Sequence, residues 1–105
     1  MSIPTDENRD LLTVVATITA RPDKVQEVKD LLGAIIEPTR KEDGNITYAL
    51  HQSTDDPTVF VFYEVWTSRA ALDTHLGSPG LQEGLAALGA LVAAPPVIVP
   101  LHRIG

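Results

Sequence analysis

Residues 58–67 read TVFVFYEVWT, and the two faces of this stretch decide the fold. Val59, Val61, Tyr63 and Val65 alternate with Phe60, Phe62, Glu64 and Trp66, so a period-two segment is apolar on both sides except at Glu64. Aromatic and β-branched residues at this density favour a strand over a helix. A strand apolar on both sides is covered on both sides.

Immediately upstream, residues 45–53 (NITYALHQS) form a second predicted strand, with Ile46, Tyr48 and Leu50 on one face and Thr47, Ala49 and His51 on the other. Asp55-Asp56-Pro57 is a turn signal between the two, so they pair as an antiparallel hairpin. Farther upstream, residues 11–20 (LLTVVATITA) alternate Leu12, Val14, Ala16 and Ile18 with Thr13, Val15, Thr17 and Thr19, which is another strand. After Arg21-Pro22, Asp23 is placed to cap a helix, with Gln26 completing a capping-box-like pair. Val25, Val28, Leu31, Leu32, Ile35 and Ile36 give that helix one apolar stripe. Pro38 kinks or ends it, and Gly44 suits a left-handed stop. Downstream, Ser68 caps a short helix over 69–76. Ser78-Pro79 starts another helix, carrying Leu81, Leu85, Leu88 and Leu91/Val92 and ended by Ala94-Pro95-Pro96. Residues 97–104 (VIVPLHRI) are a last strand, in which Pro100 suits a sheet edge or a bulge rather than a fully paired central position.

The order is β-α-β-β-α-β, an α+β, ferredoxin-like arrangement over residues 11–105 after a polar leader, residues 1–10. Two helices cover one face of its sheet. The second apolar face of residues 58–67 therefore calls for a partner sheet, and a chain of 105 residues obtains one most simply from a second copy.

Composition narrows the function. The 8 Lys+Arg against 14 Asp+Glu leave a net charge of −6, which disfavours nucleic acid and anionic lipid as partners. With Cys 0, thiolate nucleophiles, thiolate metal sites and disulfides are excluded. No segment approaches the roughly 20 apolar residues of a membrane span. The opening residues MSIPTDENRD lack the basic and apolar regions of a secretory signal, so a cytoplasmic location is expected.

Several short motifs, in order, resemble the antibiotic biosynthesis monooxygenase family, and within it the small quinol monooxygenases. They are Leu11-Leu12-Thr13-Val14-Val15-Ala16 before Arg21-Pro22, then Thr39-Arg40-Lys41-Glu42-Asp43-Gly44, Tyr48 and Asp56-Pro57. Glu64-x-Trp66, Ala71-Leu72-x-x-His75 and Ser78-Pro79 complete the series. The resemblance runs from about Leu11 to Ile104. It implies a homodimer whose two sheets pack into one α+β barrel, and oxidation of a small phenol or quinol by molecular oxygen without a cofactor or metal. Family members also degrade haem or isomerise a phosphorylated sugar, so the fold alone does not assign the reaction. The haem-degrading branch carries an asparagine near the position of Ala16 and a haem-ligating histidine in the last helix. No histidine lies between Leu76 and Leu101 here, which excludes haem ligation in that form. Where many relatives carry a histidine or aromatic residue after Ser-Pro, this chain has Gly80.

His75 is the candidate catalytic base. A neutral imidazole takes a phenolic proton near neutral pH, and the resulting phenolate reacts with oxygen; the alternative is a histidine bonded to a backbone carbonyl at a helix end. Trp66 either stacks on an aromatic substrate or fills the core. Glu64 either orients a histidine or a substrate hydroxyl, or forms a salt bridge at the strand's exposed end. Tyr48 and Phe62 complete the candidate substrate-binding set. His51 and His102 lie on different strands, without the spacing of a metal triad. Two other readings compete with the monooxygenase: a dimer that binds a small molecule without catalysis, and an isomerase of a phosphorylated metabolite, for which Arg40, Lys41 and Arg103 would have to converge.

Overall fold

A computed structural model describes residues 11–105; the leader lies outside the described residues. The elements are β1 (Leu12–Thr19), α1 (Val25–Ala34), α2 (Ile36–Arg40), β2 (Asn45–Gln52), β3 (Val59–Trp66), α3 (Arg69–Leu76), α4 (Pro79–Leu88) and β4 (Val97–His102). The strands form one antiparallel sheet in the order β2-β3-β1-β4, the ferredoxin-like α+β arrangement expected from the alternation of elements. β4 is an edge strand, which is where its Pro100 is tolerated.

Pro38 accounts for the split first helix. Its ring would strike the carbonyl of Ala34 four residues back, and α1 ends at Ala34. A new helix begins at Ile36, which leaves Pro38 in a first turn where no backbone N–H is required. Ser68 and Ser78 cap α3 and α4 as their spacing predicts, accepting from the Ala71 and Leu81 amides at 3.1 and 3.4 Å.

Three local expectations are corrected. Asp23 does not cap α1: the Lys24 amide bonds the Arg21 carbonyl at 2.9 Å, so the turn uses up this residue and the helix starts at Val25, while Gln26 bonds Asp30. Ile46 does not join Tyr48 and Leu50 facing inward. It sits at a register shift between Asn45 and Thr47, closed by an Asn45 side-chain bond to the Thr47 carbonyl, and is 52% exposed. The last helix stops at Leu88 rather than near Ala94, because residues 91–93 take backbone partners at the end of β1 instead: Ala93 N–H to the Thr19 carbonyl and Arg21 N–H to the Leu91 carbonyl.

The core lies between sheet and helices. Val14, Ala16, Ile18, Tyr48, Phe60, Phe62 and Trp66 point from the sheet against Val28, Leu32, Leu72 and Leu88. The opposite sheet face carries Val15, Val61, Tyr63, Val99 and Leu101 and lies open in the single chain, with Tyr63 44% exposed. Among the described residues no helix is long and apolar enough to cross a membrane.

Candidate active site

Alternation along β3 turns Phe62, Glu64 and Trp66 toward the helices, and the register sets Tyr48 of β2 opposite Glu64. On α3, His75 stands one turn beyond Leu72 on the buried side. The turn after α2 brings in Glu42, and Gly44 makes that approach possible. Its φ is +86°, and a Cβ there would lie 2.6 Å from the Ala71 Cβ and 2.7 Å from the Thr67 hydroxyl. The Arg40 guanidinium fastens α2 to β2 by donating twice to the Tyr48 carbonyl, at 3.1 and 3.0 Å.

His75, 3% exposed, places Nδ1 2.8 Å and 3.1 Å from the two carboxylate oxygens of Glu42, which is itself 30% exposed. Among the described residues nothing bonds the other ring nitrogen, Nε2, yet no side-chain nitrogen or oxygen is both sealed from solvent and unpartnered. Nε2 is therefore reachable. The imidazole lies 4.7 Å from the Trp66 ring and 5.6 Å, edge-on, from Tyr48, which stacks on Phe62 at 4.6 Å. The Trp66 indole N–H donates to Glu64 at 3.0 Å.

This environment controls two acids. Burial pushes the Glu64 carboxyl up to about 7, against the bond from Trp66 and with help from the charge of Glu42. Burial also raises the Tyr48 phenol well above its ordinary value; the charges of Glu64 and Glu42 add to this, and a hydrogen bond with Thr39 opposes it. Tyr48 is thus a neutral phenol at physiological pH, and Glu64 is poised to exchange a proton there.

Two cavities meet at the histidine. The inner one, about 50 Å³, lies between α4 and the sheet; its polar groups are Tyr48, Glu64 and His75, and its apolar wall includes Phe62, Leu72 and Leu85. The outer one, about 230 Å³, is bounded by Pro38, Thr39, Glu42, His75, Ser78 and Gly80. Ile35, His75 and Leu81 border both.

Of the residues singled out from sequence, Tyr48, Phe62, Glu64 and His75 line the inner cavity together. Trp66 is fully buried and lines neither cavity; it backs His75 and holds Glu64. Glu64 is buried rather than at an exposed strand end, and the carboxylate that grips His75 is Glu42. In the sequence Glu42 reads only as part of a helix stop. It lies 33 residues from His75, beyond any local pattern, and the one sequence signal for it is its place in the Thr39–Gly44 motif. His51 and His102 are exposed, and no metal-binding group of His, Asp and Glu occurs among the described residues. Arg40 is occupied by the Tyr48 carbonyl, while Arg103 borders pockets beside Tyr63 on the open sheet face, so the cations do not converge on the site.

Comparison with known proteins finds matches over most of the chain. Residues 11–87 match the sequence model of the family described as antibiotic biosynthesis monooxygenase. A Synechocystis protein is 37% identical over 86 residues, covering 82% of this chain and 58% of its own length. A Mycobacterium tuberculosis protein named "Putative monooxygenase" is 39% identical over 90 residues, covering 86% of this chain and 88% of its own. The solved structure of that protein superposes with a TM-score of 0.85 at 37% identity over 90% of this chain and 96% of the other. A Pseudomonas aeruginosa structure gives 0.86 at 32% identity over 93% and 98%.

Proposed function

The chain belongs to the antibiotic biosynthesis monooxygenase family, and from that premise we propose that it oxidises a small phenol or quinol with molecular oxygen, without a cofactor. The observation that carries the proposal is His75, buried among aromatic rings with Nδ1 held by Glu42 and Nε2 left accessible. Nε2 takes the phenolic proton, and Glu42 stabilises the imidazolium that forms. The phenolate passes one electron to oxygen, and the radical pair combines to form a carbon–oxygen bond. The imidazolium returns its proton to the terminal peroxide oxygen, and loss of the ring hydrogen with cleavage of the O–O bond releases one water and leaves a quinone, so that one phenol and one O₂ give one quinone and one H₂O. Phe62 and Tyr48 pack the ring, Glu64 bonds its second polar group, and Trp66 acts through Glu64 and His75 as a positioning residue. The apolar walls keep water from the radical pair.

The test is oxygen uptake and quinone formation with a panel of hydroquinones, in the wild type and in His75→Ala. Turnover that requires oxygen and falls by about 100-fold or more in the variant supports the role of a general base. Ligand-dependent thermal stabilisation without oxygen uptake assigns the protein to binding instead. The isomerase reading loses its support, because no described lysine or arginine lines either cavity.

The working form in this proposal is a cytoplasmic homodimer. The open sheet face, with Val61, Tyr63, Val99 and Leu101, is the surface on which a second sheet would pack.

A further inference from the structure

The inner cavity, about 50 Å³, is too small to enclose a whole aromatic ring, since a cavity that admits benzene measures about 150 Å³, so only the edge of the ring that carries the reacting hydroxyl packs against Tyr48 and Phe62. The outer cavity is about 230 Å³, and together the two approach the roughly 300 Å³ at which small-molecule sites begin. A substrate with its reacting hydroxyl at His75 therefore extends past Ile35 and Leu81 into the outer compartment. The polar groups there are few. The Ser78 hydroxyl already donates to the His75 carbonyl at 2.8 Å and accepts from Leu81, and Thr39 is a buried neutral hydroxyl. The free acceptor capacity belongs to Glu42, whose carboxylate is partly exposed. With Glu64 across the histidine, a ligand meets two carboxyl groups and no lysine or arginine in either lining. Gly80 borders this cavity, and an added Cβ there would meet nothing within 4 Å.

We propose that the outer cavity is a substituent-binding compartment that selects phenols carrying a neutral or cationic hydrogen-bond donor and rejects those carrying a carboxylate or phosphate, with Glu42 as the selecting residue. This rests on the phenol-binding reading of the inner site and adds which phenols are taken. The physical basis is asymmetric. An ammonium or hydroxyl gains a charge-assisted bond to Glu42, whereas an anion is placed beside like charges with no counter-ion.

Calorimetric titration with three phenols that share a ring and a two-carbon spacer provides the test: 4-(2-aminoethyl)phenol, 4-(2-hydroxyethyl)phenol and 3-(4-hydroxyphenyl)propanoate. The amine and the alcohol are expected to bind at least about tenfold tighter than the carboxylate, the equivalent of one pKa unit of differential interaction. Glu42→Gln keeps an acceptor for His75 and should shrink that gap, and Glu42→Lys should invert it. Gly80→Phe should weaken binding of all three ligands by filling the outer compartment. Equal affinity for amine and carboxylate, or a gap unchanged in Glu42→Gln, overturns the proposal while leaving phenol binding intact. If neither these ligands nor phenol binds, the underlying functional reading falls with it.

Discussion

Replacing Glu64 by glutamine tests the electrostatics of the site through stability alone. Folding moves the Glu64 carboxyl from 4.5 to about 7, chiefly by burial. The folded protein therefore holds this proton more tightly than the unfolded chain, and the sign follows by linkage. Below about pH 4.5 both states are protonated and the group costs nothing. Between there and about pH 7 the unfolded chain ionises first, so stability falls as pH rises, and above that the full penalty persists. At 1.36 kcal/mol per pKa unit the shift corresponds to about 3 kcal/mol, of which about 2 kcal/mol develops between pH 5 and pH 8, because the unfolded carboxyl is already largely ionised at pH 5. The amide in Glu64→Gln cannot ionise, and its oxygen can still accept the Trp66 indole N–H. The variant should gain on the wild type by this amount between pH 5 and pH 8, which is roughly 10 °C in Tm for a domain of this size. Denaturant unfolding of both proteins at fixed concentration across that range measures it. A wild-type-to-variant difference that stays constant with pH, or narrows as pH rises, refutes the assignment of the penalty to Glu64.

Three further outcomes are expected. Gly44→Ala combines a left-handed backbone with a Cβ driven onto Ala71, so it should lose about 2–3 kcal/mol by urea denaturation; a loss under 1 kcal/mol would mean that the turn carrying Glu42 shifts freely. Trp66→Phe deletes the bond that opposes the burial of Glu64, so NMR titration should find that carboxyl above its wild-type position, and a lower position contradicts the geometry. Tyr63→Glu places a charge in the open sheet face and should convert the proposed dimer to monomer in sedimentation velocity, whereas a wild type that is itself monomeric removes the barrel assembly.

The elements are legible because each is written locally. Alternation marks β1 and β3, the serines at 68 and 78 mark two helix starts, and Pro100 marks the edge strand. Asp23 loses its capping place to a local turn, and the other two departures fall where a partner far along the chain competes with a local signal. Leu91 and Val92 continue a helical stripe but are captured by the end of β1, and Ile46 fits the alternation but is displaced by a bulge. The site divides in the same way. Tyr48, Phe62 and Glu64 share one sheet face by strand periodicity and pairing, so their company with one another is readable once the hairpin is known.

By itself, then, the sequence determined the β-α-β-β-α-β order, the doubly apolar β3, the absence of thiol chemistry and the candidacy of His75. The first three follow from side-chain period, capping and composition, and the candidacy of His75 follows from the family resemblance; none of them needs a long-range partner. Tertiary structure decided that Glu42 rather than Glu64 holds the imidazole, that Trp66 is bound to Glu64 behind the cavity, and that two compartments meet at His75. Each of these depends on how closely α2, α3 and β3 approach one another. That approach is set by packing contacts and by the room at Gly44, neither of which leaves a periodic trace in the chain.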